Sequence, residues 1–307
     1  HQHLYPCPSN ARGPSMALRA PPSKPEFRRI SLEVLLSMDK HIEEEVERFD
    51  NRPLESLWLS VLAGSYLTFA SILAAVFSDG VAEKVGTGIA KPLGAMGFVI
   101  GFSMVVLSGS LLFTELNASA PLHMFVRPHD YKRTLRMWWF VLFGNAVGAL
   151  LVAALVNFAD SLSSSQVDSL EAICVSKLKQ KDEGTKGWFM AFVSGVLANW
   201  LVGMAAFFAG EGRTVPGKII GLAGPITAFA SIGFQHSIAN MGFFFVALVH
   251  GGMPFNVGDA LWWNIIPAIL GNVVGAGFFV GALFYLSFGL SKRHLFFLAP
   301  TTPTAPT

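Results

Sequence analysis

What most constrains this chain is its supply of long apolar runs. About 20 apolar residues cross a bilayer as a helix, and six segments reach that length: 54–78, 92–126, 135–159, 187–210, 216–250 and 258–289. The second and fifth are too long for one crossing and carry small and polar residues midway, so both are expected to break. Only 14% of the 307 residues are charged, against roughly 25% in a soluble domain, and mean hydropathy is +0.50. The chain therefore reads as an all-α polytopic protein whose solvent is a lipid bilayer. A net charge of +2, spread over short loops, leaves no footprint for nucleic acid.

The N-terminal stretch is rich in Pro, Ser and Arg and lacks a signal-peptide core, so residues 1–38 are expected to form a disordered tail, as are residues 291–307. Residues 39–52 place Ile42, Val46 and Phe49 on one stripe, which suits an amphipathic helix lying at the cytoplasmic surface. Cys7 falls in the tail and Cys174 in a polar loop across the membrane, which argues against a disulfide framework or a zinc site. No metal or cofactor is expected. No His-x-x-x-His or Glu-x-x-His pair lies in a span, which argues against an enzyme.

Loop charges set the orientation. Lys40, Arg48, Arg52, Arg127, Lys132, Arg133, Arg136, Arg213, Lys218, Lys292 and Arg293 all fall on one side, which should be cytoplasmic together with both termini. The expected location is the plasma membrane. Trp138, Trp139, Trp262 and Trp263 suit interfacial belts, and the Phe243–Phe245 run suits packing or lipid contact.

The third span's "FGNAVGAL" and the sixth span's "LGNVVGAG" share Gly-Asn-x-Val-Gly-Ala, and "FTELN" matches "HSIAN" in the two interrupted spans. Two related halves of three spans each follow, the second inverted in the membrane. The paired glycines read as sites of close helix contact.

In hydrocarbon an unpaired backbone group costs several kcal/mol, so broken helix persists only where it is buried in protein or lines a wet cavity. Gly109-Ser110 permits a break, after which Thr114 can cap a new half-helix with Glu115 in its first turn; Ser237 is the matching cap after Gly233. Two half-helix N-termini near the midplane would attract anions. Aligning the repeats sets His236 opposite Phe113. An ionisable group at that depth is functional by default.

The blocks "GFQHSIANM", "VLSGSLLFTEL" and "GVLANWLVGMA" resemble the formate/nitrite transporter family, over about residues 53–290. The resemblance implies an aquaporin-like protomer with its own pore, assembled as a homopentamer. His236 would be the central histidine, Thr114 the loop threonine and Asn199 the polar residue near it, with Glu115 and Ser237 beside them. A cytoplasmic constriction would fall on Phe98, Phe102 and Phe229, and the opposite one on Leu112, Phe113 and Val202. The family's vestibule lysines map onto Glu55 and Glu183, leaving Arg52, Lys181 and Lys186 as the nearby vestibule charges. Gln235, Leu111 and Glu115 depart from the family pattern, which usually has Glu, an acidic or small polar residue, and a small residue there. The implied function is proton-coupled transport of small monocarboxylates such as lactate and formate. The alternatives are a water or glycerol channel, against which the lack of an Asn-Pro-Ala pair weighs, and a nitrite or hydrosulfide channel.

Overall fold

A computed structural model describes residues 24–288, with side chains from 33 to 287, and among these residues all regular structure is helical. In chain order the helices are α1 (Lys24–Asn51), α2 (Pro53–Ser78), α3 (Val81–Val85), α4 (Thr87–Ser108), α5 (Phe113–Val126), α6 (Tyr131–Phe158), α7 (Ser164–Leu178), α8 (Gly184–Glu211), α9 (Val215–Ile232), α10 (Ser237–His250), α11 (Val257–Ala260), α12 (Ile266–Ala276) and α13 (Leu283–Phe288). Two π-helical segments, Leu261–Ile265 and Gly277–Ala282, join α11, α12 and α13 into one run. Six stretches among the described residues are long and apolar enough to cross a membrane. The second and fifth spans are divided as expected, into α4 with α5 and α9 with α10.

Close approach of backbones holds the bundle together. A Cβ on Gly148 would lie 2.0 Å from the Val61 carbonyl oxygen, fixing α6 on α2, and one on Gly275 would lie 2.2 Å from the Val196 oxygen, fixing α12 on α8. The glycines of the two repeats thus do the packing work expected of small residues in a lipid environment. The bundle's outer surface is apolar, with Trp58, Phe143 and Phe158 exposed, which fits a lipid-facing wall.

Four expectations need correction. The helix that was expected to span 39–52 begins at Lys24, so residues 24–38 are not tail; residues 1–23, with Cys7, and the C-terminal tail 291–307 lie outside the described residues. Nor does α1 float on lipid: Ile42 and Val46 are fully enclosed by protein, and Phe49 packs on Phe140 at 5.0 Å. Two acids on α1, buried Asp39 and partly exposed Glu43, are matched to groups on the bundle, His123 Nδ1 to Asp39 at 2.7 Å and Arg127 to Glu43 at 2.7 Å, which is why the helix docks there. The supposed polar loop around Cys174 is α7, whose Leu170, Cys174 and Leu178 form a buried i, i+4, i+8 stripe. Trp138 is no interfacial anchor; it is buried and its indole N–H donates to Asn117 Oδ1 at 3.0 Å.

Candidate functional site: two matched breaks

Both broken spans end their first helix in the same way. Gly109 and Gly233 adopt left-handed backbone at φ 67° and 88°, a conformation glycine takes at no steric cost. The next N–H folds back in each case, Ser110 to the Val105 carbonyl and Phe234 to the Phe229 carbonyl, both at 3.2 Å. Two residues on, Leu112 (φ −104°, ψ 122°) and Ser237's predecessor His236 (φ −106°, ψ 117°) occupy the cap position of the second helix. The register is therefore Leu112 to His236 and Phe113 to Ser237, one residue away from the alignment of "FTELN" with "HSIAN". Thr114 and Ser237 are not the caps. Both lie inside the first turn, while Glu115 does stand in the first turn of α5.

Each loop is held by the asparagine of its half's Gly-Asn repeat. Asn145 on α6 accepts from the Phe113 N–H at 2.9 Å and donates to the carbonyls of Leu111 and Ser60 at 2.9 and 2.8 Å. Asn272 on α12 accepts from the Ser237 N–H at 2.8 Å and donates to the carbonyls of Gln235 and Gly195 at 3.0 and 2.9 Å. One carboxamide, with one acceptor and two donors, satisfies the backbone groups a broken helix leaves in a water-poor interior. Sequence reasoning missed these two residues although it found the repeat, because its glycines alone explained the pattern.

The second break is further tied by Gln235. Gln235 Oε1 accepts from Asn240 and Asn264 at 2.8 and 3.0 Å, and Asn264 also donates to the Lys177 carbonyl at 3.0 Å. His236 is 1% exposed, and its Nδ1 accepts the Ala239 N–H at 3.1 Å. An N–H pointing at Nδ1 requires that nitrogen to be bare, which assigns the neutral tautomer with the proton on Nε2. Nε2 has no hydrogen-bond partner among the described residues.

Around the imidazole lies an aromatic cluster. Phe229 is 5.4 Å from the His236 ring, Phe98 is 5.9 Å from Phe229, and Phe243 is 5.8 Å from Phe98. The Lys177 ammonium sits 5.3 Å over the Phe243 ring. Lys177 was not singled out in the sequence; its signal is its place beside the apolar stripe of α7. Phe102 is buried one turn beyond Phe98 on α4, and Leu112, Phe113 and Val202 are fully buried. The two constriction sets lie the other way round from the expectation: Phe98 and Phe229 cluster with His236 towards α7, whereas Leu112 lines a cavity closed by α1, at the end bearing the arginine-rich loops. The Phe113 ring is committed to α6, stacked on Trp138 at 5.4 Å.

Asn199 on α8 joins the two breaks, donating to the carbonyls of Thr114 at 3.0 Å and Asn272 at 2.8 Å. Thr114 Oγ1, Asn199 Oδ1 and Ser237 Oγ are buried with no partner among the described residues. The three anticipated vestibule charges are each matched to an acid, Arg52 to Glu55 at 3.2 Å, Lys181 to Asp259 at 2.6 Å and Lys186 to Glu183 at 3.1 Å. None of the three lines the cavity beside Leu112.

Known proteins share this plan. A probable formate transporter of Methanothermobacter thermautotrophicus is 34% identical over 242 residues, 75% of this chain and 87% of its own length. Among solved structures, an FNT family ion channel superposes with a TM-score of 0.74 at 21% identity, over 83% of this chain and 99% of its own, which speaks to the fold. A pentameric formate channel with formate bound superposes at 0.65 with 26% identity, over 76% and 97% of the two chains. The family model described as formate/nitrite transporter matches residues 33–286, and the chain, a multi-pass helical membrane protein with two paired span breaks, belongs to that family.

Proposed function

We propose that this chain carries small monocarboxylates, formate and lactate among them, together with protons, through a pathway in each protomer of a homopentamer. The observation that carries the reading is the neutral imidazole of His236 buried among Phe98, Phe229 and Phe243. A carboxylic acid with a pKa of about 4 costs roughly 4 kcal/mol to protonate at pH 7. Driving the bare anion through a dry aromatic constriction costs far more, on the order of tens of kcal/mol by Born estimates. Neutralisation is the cheaper route.

The Lys177 ammonium draws the anion towards the constriction, and loss of water raises the acid's own proton affinity. The neutral acid then slips past the phenylalanines. The Nε2–H of His236 donates a hydrogen bond to it, while Thr114 Oγ1, Asn199 Oδ1 and Ser237 Oγ supply the buried polar contacts beyond. Because Nδ1 caps α10, His236 acts as a hydrogen-bond donor held in one tautomer rather than as the shuttle that delivers the proton. The similarity to a probable formate transporter supports the substrate class, and the similarity to a pentameric formate channel supports the assembly. The asymmetry of Lys and Arg loops supports cytoplasmic termini, and a plasma-membrane location is part of the same reading.

The test is uptake of labelled formate and lactate into proteoliposomes, with unlabelled acetate, pyruvate and nitrite as competitors. Uptake should rise with an inward proton gradient and fall when weak acids compete. Uptake indifferent to the gradient, or osmotic swelling by glycerol in its place, would overturn the reading.

A further inference from the structure

A cavity of about 250 Å³ lies against the first break, at the end of the bundle closed by α1. Its walls are Val34, Ser37, Met38 and His41 of α1, Gly109–Leu112 of the loop, the first turns of α5, and the small residues Ala206, Ala209 and Gly210 of α8. Three titratable groups face into it: Glu115 of α5, Lys218 of α9 and His41 of α1. His41 leans on Glu45 of its own helix at 3.9 Å, which leaves the Glu115 and Lys218 charges to face each other across the space.

Nothing structural employs the Glu115 carboxyl. It forms no hydrogen bond and no ion pair within 4 Å among the described residues, and it does not reach back to cap Leu112. A carboxylate standing permanently there would repel every anion that entered, and among the described residues its ionised form is supported by Lys218 and the positive end of α5. A carboxyl that gives its proton to the entering anion meets no such conflict.

We propose that Glu115 is the group that exchanges protons with the cargo at the α1 end of the pathway, and that Lys218 holds the anion while it does so. In the entering direction the Glu115 O–H bond breaks, the proton bonds to a cargo carboxylate oxygen, and Glu115 is left as carboxylate facing Lys218 across the cavity. Water in the cavity then returns a proton to Glu115. In the leaving direction the steps reverse. The proposal rests on the proton-coupled reading above and assigns the exchanging atom at one end of it.

The experiment compares wild type, Glu115→Gln and Glu115→Asp as full chains in proteoliposomes, reading proton-driven uptake of labelled formate across pH. Glutamine keeps the size and polarity of the side chain and cannot exchange a proton. It should slow uptake by about tenfold or more and flatten the pH profile, with aspartate restoring the profile. If glutamine keeps the wild-type rate within about twofold and the same profile, Glu115 has no such role, whereas a wild type indifferent to the gradient would topple the underlying reading instead. A second readout uses the unmutated chain: dicyclohexylcarbodiimide adds to a protonated carboxyl, and peptide mass spectrometry should find the adduct on Glu115, formed more slowly in the presence of formate and in step with lost uptake. An unreactive Glu115, or an adduct that leaves uptake intact, would contradict the proposal.

Discussion

The two breaks share a scaffold and differ in what stands at its tip. Glycine in left-handed backbone, a returning N–H, an extended cap residue and one asparagine clamp recur from Gly109–Phe113 to Gly233–Ser237. At the cap, however, Leu112 offers no side-chain hydrogen bond, while His236 accepts one from the half-helix it begins. Around Leu112 lies a cavity faced by Glu115, Lys218 and His41; around His236 lie phenylalanines, one of them under the Lys177 ammonium. The same backbone arrangement therefore supports a cavity faced by an acid at one break and an aromatic cluster with a fixed hydrogen-bond donor at the other, so the chemistry resides in the substituents and the asparagines merely make the breaks possible.

The sharpest way to break that comparison is to remove a clamp. Asn272→Leu strands the Ser237 N–H and two carbonyls in a buried site, at about 1–3 kcal/mol each. The sum rivals the stability of a whole domain, so little folded protein should be recovered in detergent, and Asn145→Leu should behave alike. Survival of one but not the other would show that the two halves are not equivalent scaffolds.

Next comes the cap. His236→Leu makes the second break resemble the first; losing the hydrogen bond to the buried acid, about 1–3 kcal/mol, should lower formate uptake by about ten- to a hundredfold while the protein still assembles on size exclusion. A smaller effect on function and a moderate one on stability is expected from Gly148→Val, whose Cβ would meet the Val61 carbonyl at 2.0 Å. Ordinary overpacking costs about 1–3 kcal/mol, and a clash with backbone should cost at least that, read as a lower melting temperature. The smallest effect separates capping from chemistry. His236→Asn retains a good cap acceptor, so it should be more stable than His236→Leu by about 1 kcal/mol, yet it should transport no better.

Much of this plan was readable in the residues. Apolar length gave the six spans, and the glycine-containing interruptions gave both breaks, because hydrocarbon tolerates so few ways of arranging backbone. His236 stood out since an imidazole among aliphatic residues has no cheap explanation. What escaped were contacts made across long sequence distance. Asn145 and Asn272 reach loops from other helices, and nothing local separates a clamp from a packing motif. The one-residue shift in register arose because Thr114 and Ser237 are good cap residues by type, whereas geometry put Leu112 and His236 at the caps. The stripe of α1 was legible, but not whether lipid or protein would cover it; buried pairs such as Asp39 with His123 decided for protein.

The most direct test of transport as the neutral acid is electrical. Wild-type proteoliposomes on a solid-supported membrane, with a pH dye inside, would receive a jump of formate at constant external pH. A cargo that crosses without charge predicts internal acidification that tracks formate uptake, with no sustained current. A steady current carried by formate, with the interior pH unmoved, would contradict it.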